Sequence, residues 1–297
     1  MKKTIAVCFG LILGMAVLVL PASALEVAAL GTLGNGIFDT ARTTSLGSKG
    51  AAFSENIQFW GSLSAKETFS DDISFSASFE RDPILRNRIY TRLGFDAGFA
   101  KIDVGPFFGP FNNSSSILTS GLSTSLRMEF IGFLFGSFRA DSTIGAGIAA
   151  PGDYVQERSE ISLGFWMPNV ITTFRVASDA FTEKKSAAMV VEDVRSRYEL
   201  VADIYKKNVP YTAHVVMGYQ SLKRSYIGNA STDIDELGSL LLGLDLSAQV
   251  TDNLKLMVGG EIPMYSWGIG NMRSPAASLV LYEVRTGVIW TIPKAEN

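Results

Sequence analysis

Histidine and cysteine are nearly absent: the 297 residues hold one of each, His214 and Cys8. A single cysteine cannot build a disulfide framework, and one histidine without a cysteine cluster cannot build a common zinc site. Charge is sparse as well, at 19% against 47% hydrophobic residues, a balance that excludes a disordered chain. With 26 basic against 29 acidic residues, there is no positive excess to form a nucleic-acid face. No Walker loop and no G-x-S-x-G elbow occurs. Gly145-Ala-Gly147 matches half a dinucleotide fingerprint, but nothing around it suggests a helix following a parallel strand. The sequence therefore predicts no enzyme, no catalytic residues, no metal and no cofactor.

The first residues read as a secretory leader. Met1-Lys2-Lys3 is a short basic start, Thr4 to Leu20 is almost wholly apolar, and Ala22-Ser23-Ala24 is a small-x-small cleavage site. Cys8 lies near the start of the apolar run, so it does not fit a lipid-attachment site. Removal of 1–24 takes Cys8, Lys2 and Lys3 with it, leaving 24 basic and 29 acidic residues and no thiol. A thiol-free chain suits an oxidising compartment. The expected organisation is a signal peptide at 1–24 and one domain over 25–297.

Beyond the leader no apolar run approaches the roughly 20 residues that a membrane helix needs. Instead, segments of about ten residues alternate apolar and polar, which is the period of a strand. In Ile73–Glu80, one face holds Ile73, Phe75, Ala77 and Phe79, and the other Ser74, Ser76, Ser78 and Glu80. Leu240, Leu242, Leu244 and Leu246 likewise oppose Ser239, Asp245 and Ser247. The periodicity predicts about fourteen strands: 25–34, 55–66, 72–82, 88–96, 99–108, 118–130, 132–142, 159–167, 170–178, 193–205, 211–221, 237–249, 254–263 and 277–292. Links after even-numbered strands are tight. Most of the others are longer, at 35–54, 109–117, 143–158, 179–192, 222–236 and 264–276, with 83–87 the exception. Long and short links in turn describe an up-and-down antiparallel meander with its long loops at one end, the pattern of a transmembrane β-barrel.

Size decides which face looks outward. Side chains fill the interior of a barrel of about eight strands, and fourteen enclose more than they can pack. An apolar lining would leave a costly greasy tube, so the apolar face is predicted to meet lipid and the polar face to surround water. The polar face carries Lys66, Arg92, Lys101, Arg127, Arg139, Arg175, Arg195, Arg197, Lys255 and Arg285. Its acidic set is Glu80, Asp96, Asp103, Glu129, Asp141, Glu160, Glu199, Asp203, Asp245, Glu261 and Glu283. These are the expected pore-lining residues. They hydrate or pair across neighbouring strands, as Arg127 with Asp141, and their near balance implies weak ion selectivity. Two aromatic girdles are expected: Phe95, Phe99, Phe130, Phe133, Phe165, Trp166, Tyr205, Tyr211 and Trp290 at one rim, and Phe107, Phe108, Tyr265 and Trp267 at the other. Trp166 could instead face inward.

The C-terminal run Arg285-Thr-Gly287-Val-Ile-Trp290-Thr-Ile292 places a polar residue, a glycine, an aromatic and an apolar residue at set intervals. It resembles the last-strand signal of bacterial outer-membrane β-barrels, with the difference that Pro293 and a polar tail follow it. The whole chain is similar in architecture to the monomeric outer-membrane porins, and the strand count also suits the long-chain fatty-acid channels. The resemblance implies an outer-membrane location in a diderm bacterium, contact with outer-membrane lipid, recognition by periplasmic chaperones and the barrel-insertion machinery, and passive diffusion of small hydrophilic solutes. A transporter of hydrophobic compounds needs an apolar patch in the lumen or a lateral opening. A plugged structural or adhesin barrel acts through its outer loops.

Three local features leave alternatives open. His214 reads as a lining residue or a local partner of a carboxylate. Asp179–Asp193 (DAFTEKKSAAMVVED) reads as an exposed outer loop, or as a short helix capped by Asp179 and folded into the mouth as a constriction. Gly34–Ser54 reads as a first outer loop. In the alternative, the barrel begins at Glu55 and the N-terminal segment lies inside as a plug.

Overall fold

The computed structural model describes residues 24–35, 37–38, 53–54, 57–112, 118–145, 147–228, 231–264 and 282–293. Fourteen strands form one closed antiparallel barrel: β1 (Ala24–Gly34), β2 (Gln58–Ser70), β3 (Ile73–Asp82), β4 (Arg86–Asp96), β5 (Ala100–Gly109), β6 (Thr119–Ile131), β7 (Leu134–Ile144), β8 (Tyr154–Met167), β9 (Val170–Ser186), β10 (Met189–Tyr205), β11 (Tyr211–Gly228), β12 (Thr232–Thr251), β13 (Leu254–Met264) and β14 (Glu283–Pro293). Each strand pairs with its neighbours in sequence, and β1 closes the ring between β2 and β14. That closure overturns the alternative of an N-terminal plug with a barrel beginning at Glu55. A two-residue ladder, Ile37–Phe38 with Phe53–Ser54, lies outside the barrel sheet. The leader expectation falls on residues outside the described ones, apart from Ala24 in β1.

Each of the fourteen predicted segments contains a barrel strand, with 55–56 and 277–281 outside the described residues, and the tight links lie at one end, at 71–72, 97–99, 132–133, 168–169, 206–210 and 252–253. At Pro168-Asn169 the turn needs one left-handed residue, and Asn169 takes φ 64°, a region that asparagine tolerates better than most residues. The other end departs from expectation. Of the predicted loops, 179–186, 189–192, 222–228 and 232–236 are strand, and β9 to β12 run for 17, 17, 18 and 20 residues. Asp179 therefore caps no helix: it sits in β9, opposite Arg195.

These extensions keep the period of two but turn large apolar side chains inward as well. In the lower wall, Phe174, Leu200, Met217 and Leu242 face out and are exposed, while charged residues face in. Above Tyr198 and Tyr219, which pair on the outer face, Phe181, Val191, Leu222 and Leu237 point inward and are buried. There the outer positions include Thr182 opposite Glu192 and Lys223 opposite Glu236, with Ile227 and Ile234 still exposed nearer the tip. A strand beyond the acyl chains has no reason to show grease outward and buries it inward, as a soluble sheet does. The change comes at the level where the wall leaves the lipid.

The aromatics mark the same boundary. Phe95, Phe99, Phe130, Phe133, Phe165, Tyr205, Tyr211 and Trp290 are all exposed near the tight-turn end. Trp166 turns inward against Phe135, with centroids 4.7 Å apart. The opposite girdle is corrected: Phe107 is fully buried in the lumen against Tyr90. Phe108 shares the outer face with Ile89 and Phe79, at the rim where Tyr198 and Tyr219 stand. Tyr265 and Trp267 lie outside the described residues.

One glycine is required by close approach. The β4–β5 ladder skips from Tyr90↔Phe107 to Leu93↔Val104, where Pro106 has no N–H to give. The strands pinch there, and a Cβ on Gly105 would collide with the carbonyl oxygen of Thr91 and lie 2.8 Å from Arg92 Cα. Gly105→Ala is expected to cost about 1–3 kcal/mol through this overpacking, read as a lower urea midpoint in detergent micelles.

Candidate functional site: a charged lattice across the lumen

The barrel register places opposite charges side by side on the inner face. Asp141 lies opposite Arg158, Arg158 opposite Asp179, and Asp179 opposite Arg195, an acid–base alternation across β7, β8, β9 and β10. Arg175 faces Glu199, and Asp193 faces Arg224. Opposite charges directly across a ladder stabilise it, where like charges would repel.

The pairs also reach across the bore. Asp141, fully buried, binds Arg88 at 3.1 Å and Arg139 at 3.1 Å, and accepts hydroxyl hydrogen bonds from Tyr90 at 2.8 Å and Ser123 at 2.5 Å. Arg88, also fully buried, binds Glu80 at 3.0 Å, and Arg158 reaches the same carboxylate at 3.3 Å. Asp82 meets Arg195 at 2.9 Å. β3 and β10 are seven places apart in a ring of fourteen, so this pair joins opposite walls. A second group links Arg197 to Glu261 at 2.7 Å, Arg175 to Glu199 at 2.5 Å and Arg285 to Asp245 at 3.1 Å. Burying these ions is costly, and only convergent partners recover that cost. Of the two expected states of the lining charges, hydrated or paired, pairing is the one found at mid-height, where they are packed against one another.

Of the expected lining residues, Glu80, Arg139, Arg175, Arg195, Arg197, Glu199, Asp245, Glu261 and Arg285 enter these groups. Arg92 donates to Ser123 Oγ at 2.9 Å and lies 3.9 Å from Asp141. Asp103 accepts from Ser125 at 3.0 Å. Lys101 pairs with Asp96 at 2.6 Å near the tight-turn end, where Lys66 and Glu129 are exposed. Glu283 lies opposite Glu261. Arg127 does not pair with Asp141; its guanidinium stands 4.2 Å from the Phe135 ring and 5.4 Å from the Trp166 ring. His214 Nδ1 lies 2.6 Å from Asp203, the local carboxylate pair. In the C-terminal signal, Arg285 points into the lumen, Gly287 lies against Met257 and Leu30, Trp290 is exposed on the lipid side, and Ile292 pairs with Leu25.

Four central members escaped the sequence: Asp82, Arg88, Arg158 and Asp179. Arg88 shares the phase of Arg92, Arg158 that of Glu160, and Asp179 that of Arg175. Continuing each alternation by a residue or two would have found the last two.

Above the lattice the bore is filled by the β3–β4 turn. Ile84 is 2% exposed and Leu85 0%. Gln156 Nε2, from β8, donates to the Leu85 carbonyl, and Arg86 lies 3.8 Å over the Phe181 ring and 3.2 Å from Glu183. Asn87 and Asn112 exchange two hydrogen bonds at 2.8 and 2.9 Å, and Tyr154 donates to the Gly109 carbonyl. Among Arg86, Phe181, Glu183, Val191, Asp193 and Arg224 there is no space for a water molecule.

No family model matches the chain, and no curated protein matches it. Solved structures similar to it include an outer-membrane channel from Pseudomonas putida F1 (8% identity, 92% of this chain and 97% of that one, TM-score 0.49). A bacterial polysaccharide outer-membrane secretin matches at 10% identity over 92% of this chain and 99% of that one, with TM-score 0.45. A porin matches at 11% over 90% and 100%, with TM-score 0.42. The closed ladder and the polarity of its two faces, rather than these likenesses, give the chain its porin-like outer-membrane β-barrel fold.

Proposed function

We propose that the chain is an outer-membrane channel for small hydrophilic solutes, closed at rest by its own charged lattice. The observation that carries this reading is the inward convergence of arginine and carboxylate side chains on walls whose other face is apolar. Such a wall selects lipid outside and polar matter inside. The near balance of charge on the path favours at most mild ion selectivity. Placement in the membrane depends on the barrel-insertion machinery reading Arg285, Gly287, Trp290 and Ile292.

Reconstitution into planar bilayers tests the reading. Expected are rare openings of small conductance in native protein, and frequent ones when Arg195→Gln breaks the bridge between walls. A channel silent in both proteins overturns it.

A transporter of hydrophobic compounds is the second reading, and two observations favour it. On the inner face of the closing seam, Ala28 opposes Ile289, while Leu30 and Met257 both abut Gly287. On the lipid side, a hollow of about 670 Å³ is lined by Leu200, Val215, Leu242, Leu244, Ile262 and Val284. Uptake of radiolabelled fatty acid by cells carrying the protein, absent from cells lacking it, would favour this reading over the first.

A further inference from the structure

The β3–β4 turn carries Pro83-Ile84-Leu85, an apolar triplet at the rim of a barrel, where a polar turn is the ordinary choice. Gln156 donates to its Leu85 carbonyl from β8, and Asp82 holds it inward with two tasks. Asp82 Oδ1 accepts the backbone N–H groups of Ile84 at 2.7 Å and Leu85 at 2.9 Å, which shapes the turn. Its Oδ2 meets Arg195 at 2.9 Å and Arg158 at 3.7 Å on the far wall.

Once Asp82 is set aside, the two arginines are left with Asp179 and with a Glu80 that Arg88 and Arg139 also share. Both lean on Asp179, from Arg158 Nε at 2.7 Å and from Arg195 Nε at 3.2 Å. Arg158 keeps Glu80 besides, whereas the ion-pair partners of Arg195 among the described residues are Asp82 and Asp179 alone. Two guanidiniums that converge on one carboxylate oxygen make the geometry of a carboxylate site. Its present occupant is the chain's own Asp82.

We propose that Arg158 and Arg195 form a binding site for small carboxylate-bearing solutes, and that Asp82 fills it as an internal stand-in which latches the Ile84–Leu85 stopper in the bore. A solute carboxylate that takes the place of Asp82 removes the tie between the walls and lets the turn leave. A ligand shifts such an equilibrium only by its preference for one state, and here the preference is explicit, because the site is vacant only when the latch is undone. The inference rests on the channel reading for its purpose but not for its chemistry.

The test is the accessibility of the stopper. The chain beyond residue 24 has no cysteine, so Leu85→Cys, or Ile84→Cys should the first fail to give a heat-modifiable barrel, reports on that turn alone. Maleimide modification of the full-length protein carrying Cys8→Ser, in detergent micelles, is expected to be slow, and to rise about tenfold or more when Asp82→Asn is added. Succinate is expected to produce a similar rise in the parent protein. Sodium chloride of equal ionic strength should not, and Arg195→Gln should remove the dependence on succinate. A cysteine at 85 that reacts as fast as one at the exposed Ser186, or a rate unmoved by both Asp82→Asn and succinate, overturns the proposal. A rise produced equally by chloride also overturns it, since general screening would then explain the release. Bilayer conductance is recorded on the same proteins. Thiol rates that respond while the bilayer stays silent leave the latch standing and remove the channel.

Discussion

Asp141→Asn is expected to destabilise the barrel by about 3–5 kcal/mol, the range for leaving buried charges without their partner. The substitution keeps the shape and removes one negative charge. Arg88 and Arg139 then converge on a neutral amide with Arg92 close by, and the Tyr90 and Ser123 hydroxyls compete for the single oxygen that remains. Both Asp141 and Arg88 have side chains 0% exposed, so water has no route by which to replace the lost charge. Unfolding in urea, followed by tryptophan fluorescence and by the mobility shift of the unheated barrel on gels, measures the change. A loss under about 1 kcal/mol would be the behaviour of an exposed pair and would mean that the mid-lumen is wet, contrary to the packing described above.

Glu129→Gln is the matched control. Glu129 stands on the same face, but it is exposed near the tight-turn end. Its removal is expected to change stability by no more than about 0.5 kcal/mol, as for surface substitutions away from special features. The contrast between two carboxylates, both assigned to the lumen by alternation, isolates depth as the variable. Alternation reports which face a side chain occupies, because successive Cβ atoms point to opposite sides. It says nothing of how far along the bore that side chain sits, or of what crosses from the other wall. The strands and their order were therefore legible in Ile73–Glu80 and Leu240–Ser247, and the pair Asp82–Arg195 was not. Its members are 113 residues apart and meet because of ring closure alone.

The misreading of 179–192 has a different cause. Within the lipid, contrast between faces is strong, since one meets acyl chains and the other meets charge. In Ala180–Ser186 the outward positions are Ala180, Thr182 and Lys184 and the inward ones Phe181, Glu183 and Lys185, so polar residues stand on both faces and the only large apolar side chain points inward. A search for grease on the outward phase finds none and reports a loop. The same holds at Lys223 and Glu236, outward and paired, beside inward Leu222 and Leu237. A period-two search that allowed the sign to change along a strand would have recovered both hairpins.

That change of sign leads to the second large effect. Leu244 lies on the outward face of β12, 47% exposed and flanked by Val215 on β11 and Gly260 on β13. Its strand reaches the lower girdle near Ala248, which pairs with Tyr211, and the upper one near Leu240, which pairs with Tyr219. Leu244 is thus midway between the girdles. An arginine there must enter hydrocarbon or bend the bilayer to reach water, and Leu244→Arg is expected to cost about 2–4 kcal/mol. Thr182→Arg also adds an outward arginine, on β9 opposite Glu192 and above the upper girdle, where the cost falls to about 0–1 kcal/mol. Folding efficiency and urea midpoints in lipid vesicles measure both. Equal tolerance of the two substitutions would mean that Leu244 does not face lipid, and the outward leucine rows would then need a protein partner to cover them. A large penalty at 244 beside none at 182 fixes the height of the membrane from the polarity of the strands alone.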